Sequence, residues 1–113
     1  MSSAEQLRDE AAKLESSKGG FFAKVFGGGA DKLEEACDLY TRAGSRFKVD
    51  QKWSAAGECY EKASSLQMTK LDNKHEAAQN LVEAGNCWRK AEPKRATDCL
   101  AQAIEGFLKY KIV

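Results

Sequence analysis

The sequence predicts an all-α protein, an antiparallel array of helix pairs with one capping helix in front. Three observations predict it: a small-residue pattern that recurs along the chain, helix punctuation between the recurrences, and a single proline in 113 residues. The pattern Ala-x-x-x-[Tyr/Leu]-x-x-Ala reads Ala36/Tyr40/Ala43, Ala56/Tyr60/Ala63, Ala77/Leu81/Ala84 and Ala96/Leu100/Ala103, with starts 20, 21 and 19 residues apart. Three of the four continue into a large aromatic, Phe47, Trp88 or Phe107, whereas the second offers Leu66 and Met68 around Gln67. Spacings of three and four place these residues on one helical face, and alanine at both ends of the stripe lets a second helix approach closely.

Taken in order, a first helix begins near Ser3, marked by Ala4, Leu7, Ala11 and Leu14, with Ser2 and Glu5 at capping-box spacing. It is expected to pack on the first pair as a cap. Four more helices follow at about residues 32–48, 53–69, 74–90 and 94–109. Asp31 with Glu34 and Asn73 with Glu76 repeat the capping-box spacing, and Pro93 suits the first turn of the last helix. One helix pair leaves its apolar stripe exposed, and stacking pair on pair buries it, which is the logic of a tetratricopeptide-like solenoid. The chain therefore divides into an N-terminal helix over 1–17, a Gly/Phe-rich loop over 18–30 and two helix-pair repeats over 31–113, all in one domain.

Composition narrows the function. The chain is 42% hydrophobic and 31% charged, with 18 Lys and Arg against 17 acidic residues, so it lacks the basic footprint of a nucleic-acid binder. No window of ~18 apolar residues could span a bilayer, and the polar, acidic N-terminus is unlike a secretory signal, so a cytoplasmic location is expected. Cys37, Cys59, Cys87 and Cys99 are far apart and His75 stands at no ligand spacing from them, which predicts neither a metal site nor a disulfide. Each lies inside a helical pattern, as a small buried hydrophobe would. No Ser/His/Asp set and no phosphate-cradling Gly-x-x-x-x-Gly-Lys is present, which argues against an enzyme and against a resident cofactor.

The segment from Lys18 to Gly29 differs from an ordinary polar loop: five of the nine glycines bracket three of the five phenylalanines. In one helical turn Phe22 aligns with Phe26 and Phe21 with Val25, a narrow apolar ridge flanked by Lys18 and Lys24. Such a ridge fits insertion into the headgroup region of an anionic membrane, or docking on another protein; folding back as a core plug is the alternative.

These residues carry a resemblance. The stretches Gly20-Phe-Phe-Ala-Lys-Val-Phe-Gly-Gly28, Leu33-Glu-Glu-Ala-Cys-Asp-Leu-Tyr40, Lys52-Trp-Ser-Ala-Ala-Gly57, Lys74-His-Glu-Ala-Ala78 and Ala84-Gly-Asn-Cys-Trp-Arg-Lys-Ala91 are similar to the N-terminal part of the α-SNAP family. These are the soluble NSF attachment proteins that help take apart SNARE bundles after membrane fusion. The resemblance implies a twisted sheet of helix pairs lying along a SNARE four-helix bundle, with Phe21, Phe22, Val25 and Phe26 reaching the membrane as a peripheral contact. It also implies a partnership with the hexameric NSF-type ATPase through a C-terminal region that these residues do not include. Basic side chains meet the acidic bundle in the family, and Lys52, Arg89, Lys90, Lys94 and Arg95 are the candidates here, solvated helix-end cations being their ordinary reading. With two repeat pairs, weak SNARE binding and no disassembly by this stretch alone are expected. A TPR-like peptide-binding scaffold with no membrane role is the rival reading.

Overall fold

In the computed structural model, described for residues 3–17, 29–69, 71 and 73–112, five helices run up and down in chain order: α1 (Ala4–Ser17), α2 (Gly29–Val49), α3 (Trp53–Thr69), α4 (Lys74–Ala91) and α5 (Pro93–Ile112). No strand occurs among the described residues. The expected Gly/Phe-rich segment lies, over residues 18–28, outside the described residues; α2 begins at Gly29, so positions 29 and 30 belong to the helix rather than to the loop.

Helix starts follow local hydrogen-bond chemistry, with three departures from the expected caps. At α1 the reciprocal box is one residue later than the Ser2/Glu5 spacing: Ser3 Oγ accepts from the Gln6 N–H at 3.2 Å and the Ser3 N–H donates to Gln6 Oε1 at 2.8 Å. Asn73 makes no side-chain cap to α4. Glu76 faces the adjacent helix instead, where it accepts from Gln67 Nε2 at 3.3 Å. Asp31 lies inside α2 and not at its cap. Pro93 occupies the first position of α5, where its missing N–H has no intrahelical partner to lose.

The turn from α2 to α3 is a Schellman closure. The Lys52 N–H donates to the Phe47 carbonyl and the Gln51 N–H to the Lys48 carbonyl, both at 2.9 Å, with Gln51 in the left-handed region at φ 61°.

Every alanine of the recurrent pattern is buried, together with Tyr40, Phe47, Tyr60, Leu81 and Trp88. Fully burying a side chain the size of Phe47 stabilises by roughly 1.5–3 kcal/mol, so the stripe supplies the adhesion of each helix to the next. At the aromatic position the second unit presents Gln67, 7% exposed, whose Oε1 accepts from Asn80 Nδ2 at 2.7 Å. A buried amide is tolerated there because both its ends are bonded.

Contacts fix the layering. Arg8 lies over Phe47 and Glu15 accepts from the Tyr40 hydroxyl, so α1 runs antiparallel to α2. Ser45 meets Tyr60, Ser64 donates to the Ala77 carbonyl, and Gly85 abuts Leu100, which repeats the antiparallel relation down the chain. Lys48 of α2 pairs with Glu83 of α4, and Glu61 of α3 with Arg95 of α5. Helices α1, α3 and α5 thus form one layer and α2 and α4 the other, a slab 43 × 40 × 19 Å across.

Close approach explains the glycines in the stripe. A Cβ on Gly57 would stand 2.7 Å from the Trp88 ring, and one on Gly44 would stand 2.9 Å from Tyr60. Lys52-Trp-Ser-Ala-Ala-Gly57 and Ala84-Gly-Asn-Cys-Trp88 therefore belong to one packing contact, the glycine of the first receiving the indole of the second.

Candidate functional site

The antiparallel order carries the α2–α3 and α4–α5 connections to one edge of the slab, and Ser17, Gly29, Thr69 and Lys74 to the opposite edge. All five basic residues singled out in the sequence lie along the first edge. Lys52 precedes α3, Arg89 and Lys90 occupy the last turn of α4, and Lys94 and Arg95 the first turn of α5. Their surroundings differ. Lys52 pairs with Glu5 of α1 at 3.6 Å, both more than 45% exposed. Lys90 stands 5.1 Å over the Trp53 ring, and Arg89 donates to Asn86 Oδ1 on its own helix. Lys94 is exposed. Arg95 points back across the array to Glu61 and stacks on Trp88 at 3.9 Å.

Exposed pairs such as Lys52–Glu5 contribute little to stability and are readily exchanged for an external partner. Lys52, Arg89, Lys90 and Lys94 therefore present positive charge at helix ends, whereas the partly exposed Arg95 guanidinium is engaged by Glu61 and Trp88. Two further cations, Arg46 and Lys48, lie in the last turn of α2 at the same edge. Lys48 accompanies Glu83 at 3.0 Å, and that hydrogen bond holds its ammonium above the usual lysine range. No motif marks Arg46 and Lys48; the signal that finds them is the predicted antiparallel order, which brings the end of the 32–48 helix beside Lys52.

Phe21, Phe22, Val25, Phe26, Lys18 and Lys24 lie outside the described residues. The ends of α1 and α2 that flank them, Ser17 and Gly29, belong to the edge opposite Lys52.

The interior offers little nucleophilic or metal chemistry. The four cysteines are free and buried. Burial pushes the Cys37 and Cys59 thiols up to about 11, and burial beside Glu61 pushes Cys99 to about 12. Buried protonated thiols are poor nucleophiles. Among the described residues no group of His, Cys, Asp and Glu could hold a metal ion. His75 is exposed in the first turn of α4. No described helix is long and apolar enough to cross a membrane.

A family model described as "Soluble NSF attachment protein, SNAP" matches residues 2–111. The chain belongs to the soluble NSF attachment protein family. Among SNAP relatives, the bovine (Bos taurus) beta-soluble NSF attachment protein is 43% identical over 102 residues, covering 90% of this chain and 34% of that protein. The human (Homo sapiens) alpha-soluble NSF attachment protein is 43% identical over 99 residues, 88% of this chain and 33% of the relative. The vesicular-fusion protein SEC17 of Komagataella phaffii is 41% identical over 107 residues, 95% of this chain and 36% of the relative. The chain thus spans about a third of the length of these SNAP relatives. The helix-pair array is the architecture that the SNAP resemblance leads one to expect.

Proposed function

We propose that the chain is a SNARE-binding adaptor of the SNAP type. In this reading it acts in SNARE complex disassembly, vesicle fusion and intracellular protein transport as a cytoplasmic protein attached peripherally to the membrane. The observation that carries the reading is the SNAP family match over residues 2–111, with relatives named for NSF attachment and for vesicular fusion. The chemistry is that of an adaptor rather than an enzyme: surfaces that bind, on a slab of packed helices. Residues 1–113 act as one domain, a reading supported by the packing of each described helix against its neighbour in sequence.

Lys52, Arg89, Lys90 and Lys94 meet the acidic outer surface of a SNARE four-helix bundle, with Arg46 and Lys48 extending the basic edge. Phe21, Phe22, Val25 and Phe26 enter the headgroup region of the membrane, with Lys18 and Lys24 adding on the order of 1 kcal/mol each near an anionic surface. The membrane grip of one such loop is weak. It gains effect by raising the local concentration of the adaptor beside membrane-anchored SNAREs, where two modest contacts act together. An NSF-type ATPase is the downstream partner of the whole assembly.

Liposome co-sedimentation with and without an embedded SNARE bundle tests this reading, comparing the chain with its Phe21→Ser/Phe22→Ser variant. The variant is expected to keep its helical circular dichroism, to lose binding to acidic liposomes, and to lose binding to membrane-anchored SNAREs far more than to soluble SNAREs. Binding to soluble SNAREs is expected to weaken as salt rises. A variant that melts at a clearly lower temperature and sediments with liposomes as before would overturn the membrane role. A TPR-like peptide-binding scaffold would show no dependence on the loop and no preference for SNAREs.

A further inference from the structure

Alanine-lined helix interfaces are smooth, and smooth interfaces leave the angle between neighbouring helices loosely set. At the boundary between the first pair, α2 and α3, and the second pair, α4 and α5, Ala56, Ala63, Ala77 and Ala84 are buried, and Ser64 donates to the Ala77 carbonyl and Asn80 to Gln67. Across that boundary one side chain gathers polar contacts from both helices of the second pair. Glu61, on α3, accepts the indole N–H of Trp88 on α4 through Oε1. The same carboxylate takes Arg95 Nη2 from α5, at 3.1 Å on Oε1 and 3.3 Å on Oε2, and the Cys99 thiol of α5 at 3.5 Å.

We infer that Glu61 is a positioning residue that fixes the angle between the two helix pairs, with Trp88 and Arg95 as its levers. Geometry supports a fixed angle and not merely added adhesion. The Trp88 ring is 2% exposed and pressed onto the α3 backbone at Gly57, so it cannot slide along α3. Arg95 stacks on that ring, its guanidinium carbon 3.9 Å from the centroid. The indole thus sits against Gly57 of α3 and the Arg95 guanidinium of α5, and its N–H is taken by Glu61. Together these contacts restrain the Trp88 ring of α4 and the approach of α5 to α3. The side chains of Glu61 and Arg95 are 31% and 43% exposed, so the pair is partly shielded from screening. The signal in sequence is spread over 35 positions on three helices, and although Trp88 belongs to the recurrent pattern, nothing in that pattern pairs it with Glu61 or Arg95.

Backbone N–H residual dipolar couplings of the 15N-labelled chain, weakly aligned in filamentous phage, read the orientation of each helix directly and require no partner. In the parent protein the amides of α2 to α5 are expected to fit one alignment tensor. Glu61→Ala is expected to separate them, α2 and α3 no longer sharing the orientation of α4 and α5, and to shift the Trp88 indole proton upfield as its hydrogen bond is lost. Arg95→Met, which leaves the Trp88–Glu61 bond in place, is expected to give the same reorientation to a smaller extent. Ser45→Ala removes the 2.9 Å Ser45–Tyr60 hydrogen bond inside the first pair and should leave a single tensor. One tensor superimposable on the parent's in both Glu61→Ala and Arg95→Met overturns the inference. So does an equal separation in Ser45→Ala, which would mark general loosening. Should Glu61→Ala not fold, Arg95→Met and Glu61→Gln carry the same comparison.

Discussion

Gln51 is a residue whose backbone and side chain are mismatched. Its φ of 61° closes the α2–α3 turn, a conformation that costs a residue with a Cβ about 1–2 kcal/mol and glycine far less. Gln51→Gly is therefore expected to stabilise the chain by up to about 1 kcal/mol, the remainder offset by the greater freedom of glycine in the unfolded chain, and thermal denaturation measures it. The cysteines make a second prediction at this scale. In the folded chain Cys37, Cys59 and Cys99 hold their protons up to about 11, 11 and 12, while an unfolded thiol releases its proton near its ordinary value of about 8.5. Between those limits the unfolded state binds fewer protons than the folded one, so stability falls as pH rises. It is unaffected below the unfolded value, and above it each thiol contributes a slope of up to about 1.4 kcal/mol per pH unit. Melting temperatures between pH 8 and 11 should show this decline, and replacing the four cysteines by alanine should flatten it. In the folded protein near neutral pH a thiol-specific reagent should react slowly at all four positions, and rapidly once denaturant is added.

Helix by helix, the interfaces separate glycines that are required from glycines that are merely present. A Cβ on Gly57 would stand 2.7 Å from Trp88 ring atoms, whereas one on Gly106 would meet only the Ala78 methyl, at 3.4 Å. Gly57→Ala is expected to destabilise by about 1–3 kcal/mol through overpacking, with a change in tryptophan near-ultraviolet circular dichroism. Gly106→Ala, inside α5, is expected to be neutral or to stabilise by up to about 1 kcal/mol. Chemical denaturation of the two variants side by side checks both signs. The same contrast shows what could be read in the chain before its fold. Alanine and aromatic spacing placed the helices of the repeats to within about three residues at each end, because burial at i, i+3 and i+4 is a local property of one helix. Asn73 stands at the N-cap position without the expected reciprocal bonds, Glu76 being engaged by Gln67 on a neighbouring helix, and the box expected at Ser2 forms one residue on, at Ser3 with Gln6. Of the candidate site, the helix-end position of Lys52, Arg89, Lys90 and Lys94 followed from the same spacing. The engagement of Arg95 by Glu61 did not, since it joins residues 34 apart on different helices.

The whole molecule is a slab two helices thick, and each helix rests mainly on the helices before and after it in sequence. Its two edges lie about one helix length apart, about 25 Å for a helix of the size of α3. Membrane contact at one edge would thus leave the basic edge standing away from the bilayer, and a single copy could meet both a surface and a rod projecting from it. Sequential stacking has a further consequence, for the order in which the chain comes apart. A structure in which neighbours in sequence are neighbours in space behaves as a one-dimensional chain of coupled units, so protection is set by the number of covered sides and not by depth in a single core. Helices α2, α3 and α4 are covered on both sides, whereas α5 carries Ile104 and Leu108 at 61% and 56% exposure. Native-state hydrogen exchange of the 113-residue chain is expected to be slowest in α2, α3 and α4 and faster in α1 and α5. Uniform protection across all five helices would mark all-or-none opening instead. Graded opening makes the array a zipper, able to shed an outer helix and close it again while the Gly57–Trp88 contact at its centre stays shut.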